Sequence, residues 1–294
     1  MEEGLIVSDI ITLACITQNR IDNVKRLLKK TIDYVDKVVL VDGFSIDGTK
    51  EWAESFSDKV IVTQRKWNDS FADQYNEYLK HVNDGWILIL DDDEVPSEDM
   101  LNSLRSIISE SEDGNKYGIV AFKCNPIEVD NEGTILADNG PVDYYRQLLI
   151  KYSSGLKYII DLHQALVGHK NNNLVRRSET YYHIKSDEDM YRNSSRNWWI
   201  DGVWLSGASA GFHPQEWFDL RAVVKEAYPD VEVFSDLNAK MVAGNLDQRV
   251  KDYLIKVKDI KDVEPQHLYN ELRGYFKYYF EKLHPEEHPD KTGV

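Results

Sequence analysis

Trp86-Ile87-Leu88-Ile89-Leu90 runs directly into Asp91-Asp92-Asp93-Glu94. Five consecutive apolar residues read as a strand buried on both faces, the habit of strands in parallel sheets. In such sheets ligands bind beyond the carboxyl ends of the strands, so this reading places the four acids at a ligand crevice. The segments upstream agree. Residues 10–16 form a short apolar strand candidate, and Ile21, Val24, Leu27, Leu28 and Ile32 recur behind it at helical spacing. Residues 37–41 read as a second strand, broken by Gly43, with Asp47 able to cap a helix through Phe56. Residues 59–62 make a third strand. Phe71, Tyr75, Tyr78, Leu79 and Val82 mark a third helix capped by Asp69 or Ser70, and Ser97 opens another after the acids. This alternation predicts parallel strands with right-handed crossovers and helices on both faces.

From about residue 115 the pattern changes. Residues 119–124, 146–151, 158–160, 165–168 and 180–185 are short strand candidates, with turns at Ser153-Ser154-Gly155 and Asn171-Asn172-Asn173. Helical spacing returns with Trp217, Leu220 and Val224, then Val250, Tyr253, Leu254 and Val257, then Leu268, Leu272, Tyr275, Tyr279 and Leu283. The aromatics around Tyr275 suit core packing or an oligomer contact through these C-terminal helices.

The 294 residues carry 35 Lys and Arg against 51 Asp and Glu, a net charge of −16. That balance argues against broad electrostatic binding of nucleic acid or of anionic membrane surfaces. The two cysteines, Cys15 and Cys124, sit in or beside apolar runs without a CxxC spacing, so buried thiols are expected. No apolar stretch has the length of a membrane span, and MEEGLIVSDI lacks the pattern of a signal peptide; a cytoplasmic setting is the expectation.

Three adjacent carboxylates repel one another, and their pKa values rise unless a cation is near. Hard oxygen ligands in this number suit Mg²⁺ or Mn²⁺, ions that keep waters and bind substrate phosphates. A metal bridging a pyrophosphate would neutralise a leaving diphosphate. The competing reading is a solvated acidic loop favoured by the dipole of the next helix. Asp42, at the tip of the second strand, is placed to accept hydrogen bonds from a nucleobase or ribose. Thr17, Gln18, Asn19 and Arg20 follow the first strand, where they can line a nucleotide pocket.

Taken together, ITLACITQNR, VVLVDGFSIDGT, RKWNDSFADQYNEYL and GWILILDDDEV resemble the family 2 glycosyltransferases, enzymes of the GT-A fold. The resemblance covers residues 10–110 well and 110–200 loosely. It implies an α/β, GT-A-like, Rossmann-type, mostly parallel sheet with helices on both faces, followed by a mixed acceptor region. It also divides the chain into a glycosyltransferase domain over residues 1–211 and a C-terminal helical extension over 212–294. Within that domain the nucleotide-binding half covers about residues 8–110 and the acceptor half about 111–211. The family's DxD signature falls on Asp91, Asp92 and Asp93. Asp91 then faces the ribose or the metal, and Asp93 coordinates Mn²⁺ or Mg²⁺ on the donor diphosphate. Thr17, Asn19, Arg20, Asp42, Asp91 and Asp92 would form the nucleotide site. Where relatives carry a second acid that reads a uracil edge, this chain has Gly43, which leaves the nucleoside open although UDP is the most common in the family. Asn76 matches an Asn of the family's third helix, while the Arg often preceding it is Tyr75.

The same resemblance implies inversion at the anomeric carbon, which needs a base for the acceptor hydroxyl. Ser186-Asp187-Glu188-Asp189 resembles one motif for this role and Asp161-Leu162-His163-Gln164 another, which makes Asp189 and then Asp161 the candidates. His183 or His163 would complete the metal's shell beside Asp91 and Asp93. Lys185, Arg192 and Arg196 could clamp phosphates. Tyr181, Tyr182, Tyr191, Trp198, Trp199 and Trp204 suit either stacking on sugars or burial. The function so implied is transfer of a sugar from a nucleoside-diphosphate sugar to the hydroxyl of a glycan, a lipid-linked glycan or another biopolymer. Two rival readings are a nucleotidyltransferase, disfavoured by the absence of glycine from Thr17-Gln18-Asn19-Arg20, and a non-catalytic carbohydrate-binding or nucleotide-sugar-binding protein of the same fold.

Overall fold

The computed structural model of the chain describes residues 9–130, 132–159, 164–186, 189, 193, 196, 214–231, 247–250 and 252. The chain divides into two compact units, Met1–Ser186 and Asp187–Val294.

In the first unit, β1 (Ile11–Thr17), α1 (Ile21–Thr31), β2 (Lys37–Asp42), α2 (Thr49–Phe56), β3 (Val60–Gln64), α3 (Phe71–Leu79) and β4 (Trp86–Ile89) alternate as the apolar periodicity predicts. A three-residue strand, β5 (Glu94–Pro96), and α4 (Glu98–Glu112) follow. Next come β6 (Ile119–Val129), β7 (Ile135–Asp138), β8 (Tyr145–Lys151), β9 (Lys157–Ile159), β10 (Ala165–Val167) and β11 (Leu174–Ser186). Among the described residues, nine of these strands form one sheet in the order β3-β2-β1-β4-β8-β6-β11-β5, with β7 beside β6; β9 and β10 form a separate hairpin. β1 pairs in parallel with both β2 and β4, and β2 with β3. β8 then enters antiparallel to β4, and the second half is mixed. This is the α/β arrangement that the sequence implies, a parallel half followed by a mixed one.

The apolar runs alternate their side chains between two cores. Ile11, Leu13, Cys15, Val38, Leu40, Trp86, Leu88 and Leu90 face α1, α2 and α4, packing with Val24, Leu27, Leu28, Ala53, Met100 and Leu104. Ala14, Val39, Val41, Ile87 and Ile89 face the other way onto Ala72, Tyr75 and Tyr78 of α3. Helices therefore cover both faces of the parallel half. Two helix starts follow the expected capping: the Ser70 hydroxyl accepts from Asp73 N at 3.1 Å and the Ser97 hydroxyl from Met100 N at 3.1 Å. Cys15 and Cys124 are buried free thiols, as expected.

In the second unit, Pro214–Ala227 forms α5, with Val224 and the following Val231 buried. The helical segments expected around Leu268 and Tyr275 lie outside the described residues. No helix among the described residues is long and apolar enough to cross a membrane.

β4 begins against β1 at a contact that admits no side chain. Trp86 N donates to the Ile10 carbonyl at 2.8 Å, and a Cβ on Gly85 would stand 2.2 Å from that same oxygen at a φ of +71°. Gly85→Ala should therefore lower the stability by more than about 2 kcal/mol, since clash adds to conformational strain. Gly114→Ala, at φ +85° with open space around it, should lose only the strain, about 1–2 kcal/mol. Urea denaturation of the two variants checks the difference.

Candidate active site

The acids after β4 are buried rather than solvated: Asp92 and Asp93 are each 7% exposed and Glu94 1%. Burial without cations would be prohibitive, and the fold supplies a partner to each carboxylate from a different direction. Asp91 Oδ1 accepts from the Tyr75 hydroxyl of α3 at 2.8 Å, and its Oδ2 from Arg146 Nη1 of β8 at 2.8 Å. The same Arg146 nitrogen pairs with Glu94 Oε1. Glu94 Oε2 in turn accepts from the backbone N–H of Asp91 at 2.9 Å, closing the acidic turn on itself. Asp92 Oδ2 accepts from the Thr17 hydroxyl at 2.7 Å, while its Oδ1 lies 3.1 Å from Arg20 Nε. Asp93 Oδ1 lies 3.5 Å from His183 Nε2 of β11.

The strand pairing causes these meetings. β8 pairs with β4, so Arg146 arrives on the next strand over. β5 pairs with β11, with Glu94 opposite His183, and Ile184 N donates to the Asp93 carbonyl at 2.8 Å. The electrostatic consequences differ from acid to acid. Burial pushes Asp92 up to about 7, with Arg20 opposing and Asp93 adding to the rise. Burial also pushes Glu94 up to about 7 against the pull of Arg146. Burial works the same way on Asp93, but the hydrogen bond and charge of His183 win and hold it at about 2. For His183, burial disfavours the charged ring, yet Asp93 raises it to about 9. Below the cluster, burial and the nearby acids push the Cys15 thiol well above its ordinary range, which leaves it an inert core residue.

The loops after β1 and β2 are laced to each other. Gly43 N donates to the Thr17 carbonyl at 2.8 Å, Asn19 N to the Ser45 hydroxyl at 2.8 Å, and Ile46 N to Asn19 Oδ1 at 2.8 Å. Asp42 is fully buried and accepts from Ser45 N at 3.1 Å and from Gln64 Nε2 at 2.9 Å, both on Oδ2. The N-cap of α2 is Gly48, in the left-handed region, and not Asp47 as one sequence reading has it; Asp47 stands one residue earlier and bonds the first residue of two helices. It accepts from Ile21 N of α1 at 2.9 Å and from Thr49 N of α2 at 3.0 Å. Burial works against its charge, yet these bonds and the one from the Thr49 hydroxyl lower its pKa.

Thr17, Arg20, Asp91, Asp92, Asp93 and His183 are thus brought into one neighbourhood by β1, β4 and β11. Asp42 and Asn19 lie beside it in the β1 and β2 loops. Asp93 offers a hard carboxylate oxygen of the kind Mn²⁺ and Mg²⁺ prefer, beside a His183 ring that their ion pair keeps protonated. Asp91, the other acid of the expected metal set, is held by Tyr75 and Arg146. Among the described residues no group of three or more His, Cys, Asp and Glu side chains is arranged to hold a metal ion. Asp161 and His163 lie outside the described residues, as do Asp187, Glu188, Arg192, Tyr191, Trp198, Trp199 and Trp204. Asp189 and Arg196 are described, each half-buried, in the second unit. Tyr181, considered for sugar stacking, is instead fully buried in the core.

Sequence reasoning missed Arg146 as a member of the site and gave Glu94, read within the acidic run, no role of its own. The available signal was an arginine opening the apolar run Leu148-Leu149-Ile150, where a solvated residue would be ordinary. It treated Tyr75 as one of the residues marking the third helix and as a departure from the family; here its hydroxyl meets Asp91. Asn76 clasps the backbone of Tyr158 in β9, donating to its carbonyl at 2.9 Å and accepting from its N–H at 2.8 Å.

Residues 12–131 match the model of Glycosyl transferase family 2. The glycosyltransferase SunS encoded by the SPbeta prophage of Bacillus subtilis strain 168 is 20% identical over 208 residues, covering 66% of this chain and 48% of SunS. The chain thus spans about half the length of the curated relatives it matches. Among solved structures, the mannosyltransferase PcManGT from Pyrobaculum calidifontis, in complex with GDP-Man and Mn²⁺, aligns at a TM-score of 0.43 and 14% identity over 97% of this chain and 88% of that one. S. aureus TarS 1–349 in complex with UDP-GlcNAc aligns at 0.42 and 13% identity over 97% and 92%. The family 2 match takes in β1 to β6 and so contains every acid of the cluster, whereas Arg146 and His183 come from strands beyond it.

Arg146 Nη1 is the shared side-chain partner of Asp91 Oδ2 and Glu94 Oε1. Arg146→Met should destabilise the protein by about 3–5 kcal/mol, because it strands a buried carboxylate. Adding Glu94→Gln should restore more than half of that loss. Urea midpoints of the single and double variants provide the measurement, and a single-variant loss below about 1 kcal/mol would refute the pairing.

Proposed function

We propose that this chain is a metal-dependent, inverting glycosyltransferase that moves a sugar from a nucleoside-diphosphate sugar to an acceptor hydroxyl. The observation that carries it is the acid cluster Asp91–Asp93 at the carboxyl end of a parallel strand, inside the segment that matches the glycosyl transferase family 2 model. Relatives and neighbours that are named as glycosyltransferases, or are seen with UDP-GlcNAc or GDP-Man, point the same way for those proteins.

In this proposal Thr17, Asn19, Arg20, Asp42 and Asp91 seat the nucleoside and its phosphates, and Asp92 holds the β1 loop in place through Thr17 and Arg20. Asp91 keeps lone pairs free for a ribose hydroxyl after accepting one bond on each oxygen. A divalent cation held by Asp93, and by His183 once the cation displaces that ring's proton, would supply Lewis-acid neutralisation of the diphosphate. The acceptor oxygen forms its bond to the anomeric carbon from the face opposite the leaving group. The bond from that carbon to the diphosphate oxygen breaks, and its electron pair leaves with the nucleoside diphosphate. The acceptor proton passes to a carboxylate, for which Asp189 and then Asp161 are the candidates.

Release of nucleoside diphosphate from a panel of UDP-, GDP-, CDP-, ADP- and TDP-sugars, followed with Mn²⁺ and with EDTA, tests this. Turnover with at least one donor is expected, lost in EDTA, and lowered by roughly 100-fold or more in Asp93→Asn, the order seen when a group stabilising transition-state charge is removed. Undiminished release in EDTA would remove the metal from the mechanism. Pyrophosphate as the product would establish nucleotidyl transfer instead, and binding without turnover of any donor would leave a carbohydrate- or nucleotide-sugar-binding protein.

A further inference from the structure

Phe44 sits where neither local conformation nor burial favours a phenylalanine. Its φ is +64°, in the left-handed region that a Cβ disfavours. The other non-glycine residues at positive φ among those described are Asn19, Asp69 and Asn115, residue types that tolerate it. A strained aromatic is ordinarily stabilised by packing into a core, yet Phe44 is 54% exposed, and its neighbour Ile46 is 92% exposed.

The backbone beneath Phe44 is held on both sides. Gly43 N donates to Thr17 O, Gln18 Nε2 to Gly43 O at 3.2 Å, and Ser45 N to the Asp42 carboxylate. The Gln18 side chain covers Gly43 so closely that a Cβ there would lie 3.0 Å from Gln18 Cβ and Cγ. Position 43 therefore carries no side chain toward the crevice, and the next residue presents an aromatic ring on a rigid turn. That turn stands at the end of β2, two strands from the acids of β4 across the order β2-β1-β4. Two strand spacings are about 10 Å, comparable with the reach of a nucleoside from its diphosphate to its base. Backbone strain kept at a ligand crevice is a mark of a residue retained for what it contacts.

We infer that Phe44 is the stacking platform for the nucleobase of the donor, so that the site holds the base by its flat face rather than by reading its edge. This rests on the nucleoside-diphosphate donor proposed above. Stacking is tolerant of base identity because every base has a π-face, so the site accepts several nucleosides with similar affinity.

Calorimetric titration of UDP, GDP, CDP and ADP, and of inorganic pyrophosphate as a baseless probe, all with Mn²⁺, tests the inference on the full chain. Phe44→Gly should weaken every nucleotide by roughly 5- to 100-fold and leave pyrophosphate within twofold. The same variant should melt at a higher temperature, since glycine relieves the left-handed turn, so a failure to fold cannot imitate the loss. Phe44→Trp should keep nucleotide affinity. Nucleotide affinities within twofold of wild type in Phe44→Gly would overturn the inference while leaving the donor class intact. An equal loss for pyrophosphate, or a loss confined to one nucleotide, would also overturn it. Wild-type protein that binds neither nucleotide nor pyrophosphate would overturn the donor class itself, and this inference with it.

Discussion

Three consecutive carboxylates, Asp92 to Glu94, cannot be buried beside a half-buried Asp91 without countercharge, and much of the first unit is arranged around that constraint. Arg20 comes from the loop after β1, Arg146 from β8 and His183 from β11, so three separate strands converge on one turn after β4. The charge pairing and the strand pairing are the same adjacency. β8 lies against β4, and β11 lies against the short strand that begins at Glu94. A buried ion pair adds little net stability over an apolar one, but losing one member is costly. The cluster therefore binds the parallel half and the mixed half to a single register.

The four acids are also differentiated by their surroundings. Asp92 and Glu94 are pushed toward neutrality by burial, whereas Asp93 stays ionised beside a positively charged His183. Asp91 takes two partners, one a tyrosine and one an arginine. Adjacent residues of like type thus have separate tasks: Asp92 and Glu94 brace the turn, and Asp93 pairs with His183. The β1 and β2 loops show the same economy of support. Ser45, Asn19 and Asp47 spend side-chain oxygens on the backbone N–H groups of Asn19, Ile46 and Ile21, which holds a turn that places Phe44 in a conformation it would not choose alone.

Much of the fold is legible from periodicity. The runs at residues 10–16, 37–41 and 86–90 become β1, β2 and β4 within a residue or two, because parallel strands covered on both faces must be continuously apolar. Ser70 and Ser97 cap the helices they were expected to cap, since the capping bond is made within three residues. The strands β5 and β7 were not read. β5 has three residues ending in Pro96 and exists through its pairing with β11, and β7 is a short, largely exposed strand with Ile135 and Leu136 facing outward. Neither carries a local signal strong enough to stand alone.

The acid cluster itself, its position after a buried strand, and the loops that flank it are properties of short stretches of chain, and the sequence by itself determined them. What only the tertiary structure decided is which partner each acid receives. Arg146 is 55 residues from Asp91, and Thr17 is 75 residues from Asp92. Such pairings depend on strand order and register, which bring distant segments within hydrogen-bonding distance. Helical and strand periods report only what neighbours along the chain can share, so no spacing rule could have separated Asp93 from Asp91 or placed Arg146 between Asp91 and Glu94.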